Sequence, residues 1–335
     1  MAPPRILFAI EVGAEFGLGH LMRCRVLASE LSRRRCAISL AVRGDLSVLE
    51  RWAWPDGSAV TGLGATSEGA ASEVLSLARQ HSFDWLVVDG YGLAATRLLL
   101  ELRRLGQRSL VFDDVAAAPV PADVILNQNL LDGAPYGTEA RLLLGPRFAL
   151  VADAYRAARR LSNEPAHVRR VLVSFGGSDR KGLTPRVLRA LSRVRAGIVQ
   201  IDVVRGPFHA DSQAAVAADL PVRYHAAPSS LAPLMAEADV VVSAAGSGCW
   251  EVCCVARPLI AVQTASNQRH VVATLRQANA GITLDGLNEQ GFAEDEFVAA
   301  WQSVRDQDIR RHLADAARGL VDGLGAARVA DALGC

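Results

Sequence analysis

The sequence lacks the features that direct a protein to a membrane, to nucleic acid or out of the cell. No apolar run reaches the roughly 18 to 20 residues that span a bilayer, because glycine, proline or a charged residue interrupts each one. Lys plus Arg (36) nearly balance Asp plus Glu (35), so no basic nucleic-acid surface is indicated. Residues Met1 to Arg5 lead directly into a strand-like segment without a secretory signal pattern. We expect a cytoplasmic protein with no membrane segment and no nucleic-acid partner.

Metal-binding patterns are also scarce. None of the six cysteines forms a C-x-x-C pair with zinc-finger spacing, and Cys253 and Cys254 adjoin in an apolar helical pattern, which indicates buried free thiols. The only Asp-x-Asp string, Asp306-Gln307-Asp308, lies in a polar stretch near the C-terminus and does not follow a strand. We therefore predict no metal site.

Short β-rich runs alternate with amphipathic segments along all 335 residues, a pattern typical of parallel sheets built from βαβ units. The length favours two domains. We predict an α/β protein with two Rossmann-like domains, residues 1–160 and 165–335, whose parallel sheets face one another across a cleft; the polar stretch Leu161 to Arg170 is the expected linker. The predicted strands are Ile6–Glu11, Ala37–Val42, Trp85–Asp89, Ser109–Asp113, Val124–Asn127, Val171–Phe175, Val199–Val204, Asp239–Ser243 and Leu259–Val262.

A histidine opens the first predicted helix. The first strand is followed by a glycine-bearing turn that includes Gly17 and Gly19, and His20 comes next. The positive end of the helix dipole disfavours an imidazolium there, so a neutral ring that can accept a proton is expected. A histidine that only caps the helix or packs on the sheet would occupy the same position, and the residues alone leave both readings open.

Two further strand ends of the first half are polar. Asp89-Gly90-Tyr91-Gly92 follows one strand, and Asp113-Asp114 ends another, on the side where His20 is expected. Carboxylates there can position a water molecule or orient His20. Asp at a strand end more commonly forms a turn or caps a helix.

Glycine turns of the second half are suited to phosphate. Gly176-Gly177-Ser178-Asp179 follows an apolar strand, and two glycines beside a hydroxyl expose N–H groups that can hold phosphate oxygens. A plain Gly-Gly turn would look similar. The turn lacks the G-x-G-x-x-G and Walker lysine spacings, so neither a dinucleotide nor an ATP site is indicated, and we expect no cofactor.

A second small-residue turn, which contains Ser243, Gly246 and Ser247, precedes a helix that carries Glu251. Such a turn suits a diphosphate, and a carboxylate one turn into the helix can accept both ribose hydroxyls, although Glu251 could instead only offset the helix dipole. Asn267 and Gln268 follow the next strand, and their amides can orient sugar hydroxyls because each both donates and accepts.

These strings in this order resemble the UDP-2,4-diacetamido-2,4,6-trideoxy-β-L-altropyranose hydrolases of pseudaminic acid biosynthesis. The resemblance covers about residues 5 to 285 and rests on Gly17-Leu18-Gly19-His20-Leu21-Met22-Arg23, Asp89-Gly90-Tyr91-Gly92, Phe112-Asp113-Asp114, Gly176-Gly177-Ser178-Asp179, Ser243 to Glu251, and Asn267-Gln268. The family looks like a hydrolytic branch of the GT-B glycosyltransferases related to the enzyme that makes lipid II. It usually has His where Gly90 stands, which puts the wall of the sugar pocket in question.

The resemblance implies a GT-B fold and a monomeric enzyme that hydrolyses a UDP-linked sugar without a metal and with inversion, His20 acting as general base. The nucleotide-binding residues would be Gly176, Gly177, Ser178, Ser243, Gly246, Ser247 and Glu251. The sugar-binding residues would be Gly17, Gly19, Arg23, Asp89, Tyr91, Asp113, Asn267 and Gln268. A glycosyltransferase that uses the same donor, or a nucleotide-sugar binding protein without catalysis, remains the alternative.

Overall fold

The chain divides into two compact units. The computed structural model describes residues 2–94, 96–131, 136, 139–159, 165–209, 220–289 and 291–335. One unit comprises Met1–Leu150 together with Leu324–Cys335, and the other comprises Val151–Gly323. No helix among the described residues is long and apolar enough to cross a membrane.

The first unit is built on a seven-stranded parallel sheet with the strand order β3-β2-β1-β4-β5-β6-β7. Its interior strand β1 is almost wholly buried, as expected of a parallel sheet covered on both faces: seven of its eight residues are buried. The strands are β1 Arg5–Val12, β2 Ala37–Gly44, β3 Ala59–Gly62, β4 Trp85–Asp89, β5 Ser109–Phe112, β6 Val124–Asn127 and β7 Arg141–Leu144.

The second unit repeats the plan with a six-stranded parallel sheet of order β10-β9-β8-β11-β12-β13. Its core gathers valine and isoleucine side chains from the central strands, such as Val173, Val242 and Ile260. The strands are β8 Arg170–Ser174, β9 Gln200–Arg205, β10 Val222–Ala226, β11 Val240–Ala244, β12 Leu259–Gln263 and β13 Ile282–Asp285.

Helices connect these strands. The spacing of buried Leu21, Cys24, Leu27, Ala28 and Leu31 gives the first helix one apolar face, as its sequence pattern predicts. The helices are α1 Gly19–Arg33, α2 Ser67–Gln80, α3 Thr96–Arg104, α4 Asp153–Ala157, α5 Leu183–Arg193, α6 Ala232–Glu237, α7 Gly248–Val255, α8 Arg269–Gln277, α9 Glu294–Arg305, α10 Gln307–Leu320 and α11 Gly325–Leu333.

The boundary between the two units differs from the one expected from the sequence, which lay at residues 160–165. The first unit ends ten residues earlier, at Leu150, and the C-terminal segment with α11 rejoins it. Arg34, at the end of α1, fixes that segment by donating to the Asp331 carboxylate at 2.6 Å and to the Cys335 carbonyl at 2.7 Å. Contacts between residues 300 apart leave no trace in local sequence patterns. Residues 161–164 of the expected linker lie outside the described residues.

Two expectations about single residues can also be compared with the structure. Five of the six cysteines are buried free thiols, as predicted, and Cys335 is partly exposed. Asp306 accepts hydrogen bonds from the backbone N–H groups of Asp308 and Ile309, so the Asp-x-Asp string caps α10.

Candidate functional site

His20 of the first unit lies against the carboxylate that ends β4. The imidazole Nδ1 is 2.5 Å from Oδ1 of Asp89, and both side chains are buried. Burial opposes ionisation of Asp89, but the charges of Arg23 and His20 outweigh it and hold the pKa of that carboxyl well below its usual range. Because the ionised carboxylate can only accept, Nδ1 donates its hydrogen to Asp89. The neutral ring then carries its lone pair on Nε2, which can take a proton.

Arg23, one helical turn after His20, binds two carboxylates. Its Nε and Nη2 donate to the two oxygens of Asp89 at 2.7 and 2.6 Å, and its Nη1 donates to both oxygens of Asp114 at 2.9 Å. Burial lowers the pKa of Arg23, but the charges of Asp114 and Asp89 outweigh this effect and raise the pKa well above its ordinary value. The guanidinium therefore stays charged. One cation facing two carboxylates leaves a net negative charge while His20 is neutral.

Two more side chains complete this cluster around Asp114. Tyr91 places its ring edge-on to His20, with centroids 5.5 Å apart, and its hydroxyl donates to Asp114 Oδ2 at 3.3 Å. Asn129 donates to Asp114 Oδ1 at 2.8 Å. Asn129 was not among the predicted site residues, although it follows β6 just as Asp89 ends β4. The signal that could have found it is the buried polar run of residues 127–129 after an apolar strand.

Asp113 lies outside this cluster, unlike Asp114. Its Oδ1 accepts the backbone N–H groups of Val115 and Ala116, both at 3.0 Å, so it stabilises the turn after β5. Its Oδ2 is buried and has no hydrogen-bond partner among the described residues. The predicted site residue of this pair was Asp113, but in the structure Arg23 contacts Asp114.

The loop that leads to His20 is closed on itself. Gly17 donates its N–H to the carbonyl of Gly13 at 2.7 Å, and Gly13 donates in return at 3.4 Å. Gly19 then begins α1. This short bridge fixes the chain just before the histidine.

Gly90, where the resembled family usually has His, faces a buried glutamate. A Cβ at Gly90 would lie 2.5 Å from Oε2 of Glu11, closer than real atoms approach. Glu11 is fully buried, pairs with Arg43 and accepts the N–H of Gly92 at 3.0 Å. The Glu11 carboxylate therefore occupies the space into which a side chain at position 90 would first extend.

The Gly176-Gly177 turn of the second unit directs its carbonyl groups toward the end of β9. A Cβ at Gly206 would lie 2.4 Å from the carbonyl oxygen of Gly176 and 2.3 Å from that of Gly177, and Phe208 donates to Gly177 at 3.0 Å. In a trans peptide the N–H of the next residue points opposite to the carbonyl. The N–H groups of Gly177 and Ser178 therefore point away from the β9 loop and are arranged as a pair of donors.

Asp179, next in this turn, has a structural task. Its two carboxylate oxygens accept the N–H groups of Leu183 and Thr184, each at 2.8 Å, at the start of α5. Ser178 beside it is half-buried. The turn thus combines an anchored side, through Asp179, with the outward N–H groups that a phosphate requires.

The turn between β11 and α7 brings the second set of predicted nucleotide residues together. Ser243 is buried in β11, Gly246 lies in the turn, and Ser247 stands at the N-cap position of α7 without a side-chain capping bond. Glu251 lies in the first turn of that helix, where the dipole favours its charge. The Ser243 hydroxyl donates to the carbonyl of Ala244 at 3.1 Å, so it supports the turn locally.

The neighbouring loop after β12 lies against this turn. A Cβ at Gly246 would be 3.9 Å from Nε2 of Gln268. Gln268 Oε1 accepts the N–H of Thr264 at 2.7 Å, and its Nε2 donates to the Thr264 hydroxyl at 3.0 Å. Gln268 therefore braces its own loop, while Asn267, beside it, is half-buried.

No group of three or more His, Cys, Asp or Glu side chains with metal-site geometry occurs within the described part of the chain. In the first unit, His20 and Arg23 each pair with Asp89. In the second unit, the candidate site consists of the two glycine-containing turns and the Glu251 carboxylate at the start of α7.

Comparisons with known proteins agree with this architecture. The chain is similar to the spore coat polysaccharide biosynthesis protein SpsG of Bacillus subtilis, with 23% identity over 95% of this chain and 94% of that protein. It is also similar to the UDP-2,4-diacetamido-2,4,6-trideoxy-beta-L-altropyranose hydrolase of Campylobacter jejuni, with 24% identity over 57% of this chain and 67% of that protein. No protein-family model matches the chain.

Among solved structures, MurG of Acinetobacter baumannii superposes with a TM-score of 0.68 at 16% identity over 99% of each chain. The chain adopts the GT-B fold. The resemblance drawn from the motifs is thereby supported in both sequence and structure. In each unit of this GT-B protein the predicted residues lie at the carboxyl ends of parallel strands or in the turns and helices that follow them, where ligands bind in open α/β sheets.

Proposed function

We propose that this GT-B protein is an enzyme that hydrolyses a UDP-linked amino or deoxy sugar to UDP and free sugar. The similarity to the Campylobacter jejuni hydrolase supports a nucleotide-sugar substrate, and UDP-2,4-diacetamido-2,4,6-trideoxy-β-L-altropyranose is the first candidate. The first unit acts on the sugar and the second holds the nucleotide. No cofactor is required.

The observation that carries the proposal is the hydrogen bond between His20 Nδ1 and the ionised Asp89. It selects the tautomer with a lone pair on Nε2, the arrangement that a general base needs. A histidine that served only to cap α1 would have no use for a buried carboxylate, itself held by Arg23 on both oxygens.

In the proposed reaction, Nε2 of His20 removes a proton from water as the water oxygen attacks the anomeric carbon. The bond from that carbon to the UDP oxygen breaks, and the electron pair leaves with the diphosphate. Attack opposite the leaving group inverts the anomeric carbon. The net negative charge of Asp89, Asp114 and Arg23 stabilises the imidazolium that forms. Base catalysis of this kind contributes about 10²- to 10⁴-fold.

The second unit supplies the stabilisation of the leaving group. N–H groups of the Gly176-Gly177-Ser178 turn and of the turn before α7 donate hydrogen bonds to the oxygens of the diphosphate, which needs little protonation to leave. Glu251 accepts the two ribose hydroxyls. Asn267 contacts the sugar from the loop after β12. These donors act without a metal ion in the proposed reaction.

A second candidate follows from the structural similarity to a glycosyltransferase such as MurG. A protein with the same UDP-sugar site could transfer the sugar to a hydroxyl group of an acceptor in place of water. His20 would then remove the proton of the acceptor, and only the acceptor would differ.

A panel of UDP-sugars assayed for free UDP, each with and without hydroxyl acceptors, tests the proposal. We expect one UDP-linked amino or deoxy sugar to release UDP in the absence of any acceptor, at a rate that acceptors do not raise. The anomeric configuration of the free sugar should be opposite to that of the substrate. UDP release that depends on an acceptor would establish the transferase. Binding of the UDP-sugar with no release under either condition would indicate a binding protein without catalysis.

A further inference from the structure

A buried ion pair lies under the chain segment that carries Tyr91. Glu11, at the end of β1, is fully buried, and Arg43 stands opposite it on the neighbouring strand β2 and binds its carboxylate. Cβ atoms at Gly90 and at Gly92 would each lie 2.5 Å from a carboxylate oxygen of Glu11, so any larger residue at either position would displace that carboxylate. The segment therefore packs directly on Glu11, which also accepts the N–H of Gly92 at 3.0 Å.

Tyr91 itself points away from this pair and toward His20. The residues on both sides of it would direct a side chain at Glu11, whereas the Tyr91 side chain is 52% exposed, with its ring centroid 5.5 Å from that of His20. Its hydroxyl donates to Asp114 at 3.3 Å. Tyr91 is therefore held at its hydroxyl by Asp114 and at its backbone by neighbours that pack on Glu11.

The arginine of the pair also contacts the loop that precedes His20. The guanidinium carbon of Arg43 lies 5.0 Å from the centroid of the Phe16 ring, within the loop closed by residues 13 and 17. Its Nε donates to the carbonyl of Ala65 at 2.9 Å, just before α2. The ion pair thus contacts the segment before the proposed base and the segment after its carboxylate partner.

Fold stability alone does not account for a buried ion pair at this place. Removing two charges from water is costly, and replacing such a pair by apolar side chains of similar volume is often neutral or even stabilising. An apolar pair could not, however, offer an acceptor to the Gly92 N–H or a cation to the Phe16 ring. These two contacts are what the charges add.

We propose that the Glu11–Arg43 pair positions Tyr91 for sugar binding, so that the exposed ring forms a wall beside His20 against which the apolar face of the UDP-linked sugar packs. A deoxy sugar presents C–H and methyl groups there, and an aromatic ring covers such groups over a large area at a low cost in conformational entropy. The inference rests on the proposed function of the first unit as the sugar site. Glu11 and Arg43 act through Tyr91 and are positioning residues.

Replacing the pair by two methionines separates positioning from stability. Glu11→Met/Arg43→Met keeps a similar volume and leaves no unpaired charge, so the melting temperature should stay the same or rise. Calorimetric titrations in a His20→Asn background, which prevents turnover, compare UDP-2,4-diacetamido-2,4,6-trideoxy-β-L-altropyranose with UDP. We expect the Kd of this UDP-sugar to rise about three- to tenfold, the range of one aromatic contact. The Kd of UDP should stay within about twofold, because the proposed nucleotide site lies in the second unit.

Three controls test whether the effect passes through Tyr91. Adding the two methionines to Tyr91→Ala should weaken binding of the UDP-sugar no further than Tyr91→Ala alone. Arg43→Lys keeps a cation for Glu11 and should retain most of the affinity that the two methionines remove. Glu30→Met/Arg34→Met removes an ion pair of the same residue types at the other end of α1 and should leave both Kd values unchanged.

The outcomes separate this role from the proposed function. If Tyr91→Ala weakens binding of the UDP-sugar and the two methionines do not, the positioning role is wrong and the sugar site stands. Equal weakening of UDP and the UDP-sugar by the two methionines assigns the pair to fold stability and also overturns the role. If Tyr91→Ala binds the UDP-sugar as tightly as its parent, the role is wrong, and UDP release in the sugar panel still decides the proposed function. Binding of UDP without any binding of the UDP-sugar overturns both the role and this choice of substrate.

Discussion

Arg23 holds Asp89 through two guanidinium nitrogens, with Nε to Oδ2 at 2.7 Å and Nη2 to Oδ1 at 2.6 Å. This bidentate geometry fixes the plane of the carboxylate and leaves Oδ1 to accept from His20 as well. The orientation of the imidazole is therefore set by a residue one turn further along the same helix. A change in Asp89 should disturb both the ring and the guanidinium.

We first predict that Asp89→Asn lowers kcat by about 10² or more while UDP affinity stays within a few-fold. The amide of Asn can donate to Nδ1, which would move the imidazole hydrogen to Nε2 and abolish the base. UDP binding is assigned to the other unit and should not respond. Steady-state kinetics with calorimetry of UDP checks this, and a normal kcat would remove Asp89 from the mechanism.

The second prediction concerns stability in acid. Because the folded pKa of Asp89 is depressed, its ionised form contributes stability above the unfolded value, about 3.9, and that contribution is lost as the pH falls from there toward the folded pKa. The stability advantage of the wild type over Asp89→Asn should therefore shrink below about pH 4, by up to about 1.4 kcal/mol per pH unit. Urea unfolding of both proteins between pH 7 and 3 measures the difference. A constant difference across that range would contradict the assignment of the charge pair.

Central strands could be predicted from the sequence, and edge strands could not. All nine predicted strands occur, whereas the four that were missed, β3, β7, β10 and β13, are the two edges of each sheet. Edge strands pair on one side only and need no continuous apolar run: every residue of β3 is exposed, and Tyr224 of β10 is 39% exposed. The apolar signal that identifies a buried parallel strand is therefore weak in β3 and β10, whereas β7 does contain three consecutive leucines, residues 142–144, and was missed despite them.

The sequence could identify residues of the candidate site only where they lie at or after a strand that the sequence pattern predicts. Asp89 ends one recognisable strand and His20 lies at the start of the helix that follows another, so topology alone placed them on one edge of the sheet. The distinction between Asp113 and Asp114 depends on which carboxylate faces Arg23, and residues adjacent in sequence give no indication of that.

The third prediction uses these adjacent carboxylates as a matched pair. Asp114→Asn removes the second anion facing Arg23, so less negative charge stabilises the imidazolium that forms in the proposed reaction, and we expect kcat to fall about tenfold. Asp113→Asn keeps an oxygen that can accept from Val115 and Ala116, since Asn forms the same turn, and should retain most of the activity. Steady-state rates of the two variants give the comparison. The reverse order of effects would return the active role to Asp113.

The fourth prediction is that turnover survives removal of divalent metal ions. The proposed leaving group is stabilised by backbone N–H groups of the second unit and the base is a side chain, so no step requires a Lewis acid. Rates measured after dialysis against EDTA should match those of the untreated protein. Lost activity that magnesium or manganese restores would show that an ion binds with the substrate phosphates, and would replace this part of the mechanism.

The final prediction is that His20→Asn impairs turnover far more than binding. Asn is accepted readily near a helix N-terminus, so the fold should persist, and its amide cannot take a proton from water. We expect kcat to fall by about 10² or more while UDP binds within a few-fold of the wild type, the pattern of an interaction made mainly in the transition state. Alanine would also leave a cavity beside Asp89, which makes Asn the cleaner replacement.

The pH dependence of the same variant supplies an independent measurement. The rate of the wild type should decline in acid as Nε2 of His20 becomes protonated and can no longer accept a proton, and the variant should lose that acid limb. A structural histidine would give a different result, because its replacement would lower UDP affinity or thermal stability along with the rate and leave the pH profile of the residual activity unchanged. Near-normal turnover in His20→Asn would exclude the general-base role outright, and parallel loss of rate and UDP binding would move His20 from proton transfer to phosphate orientation.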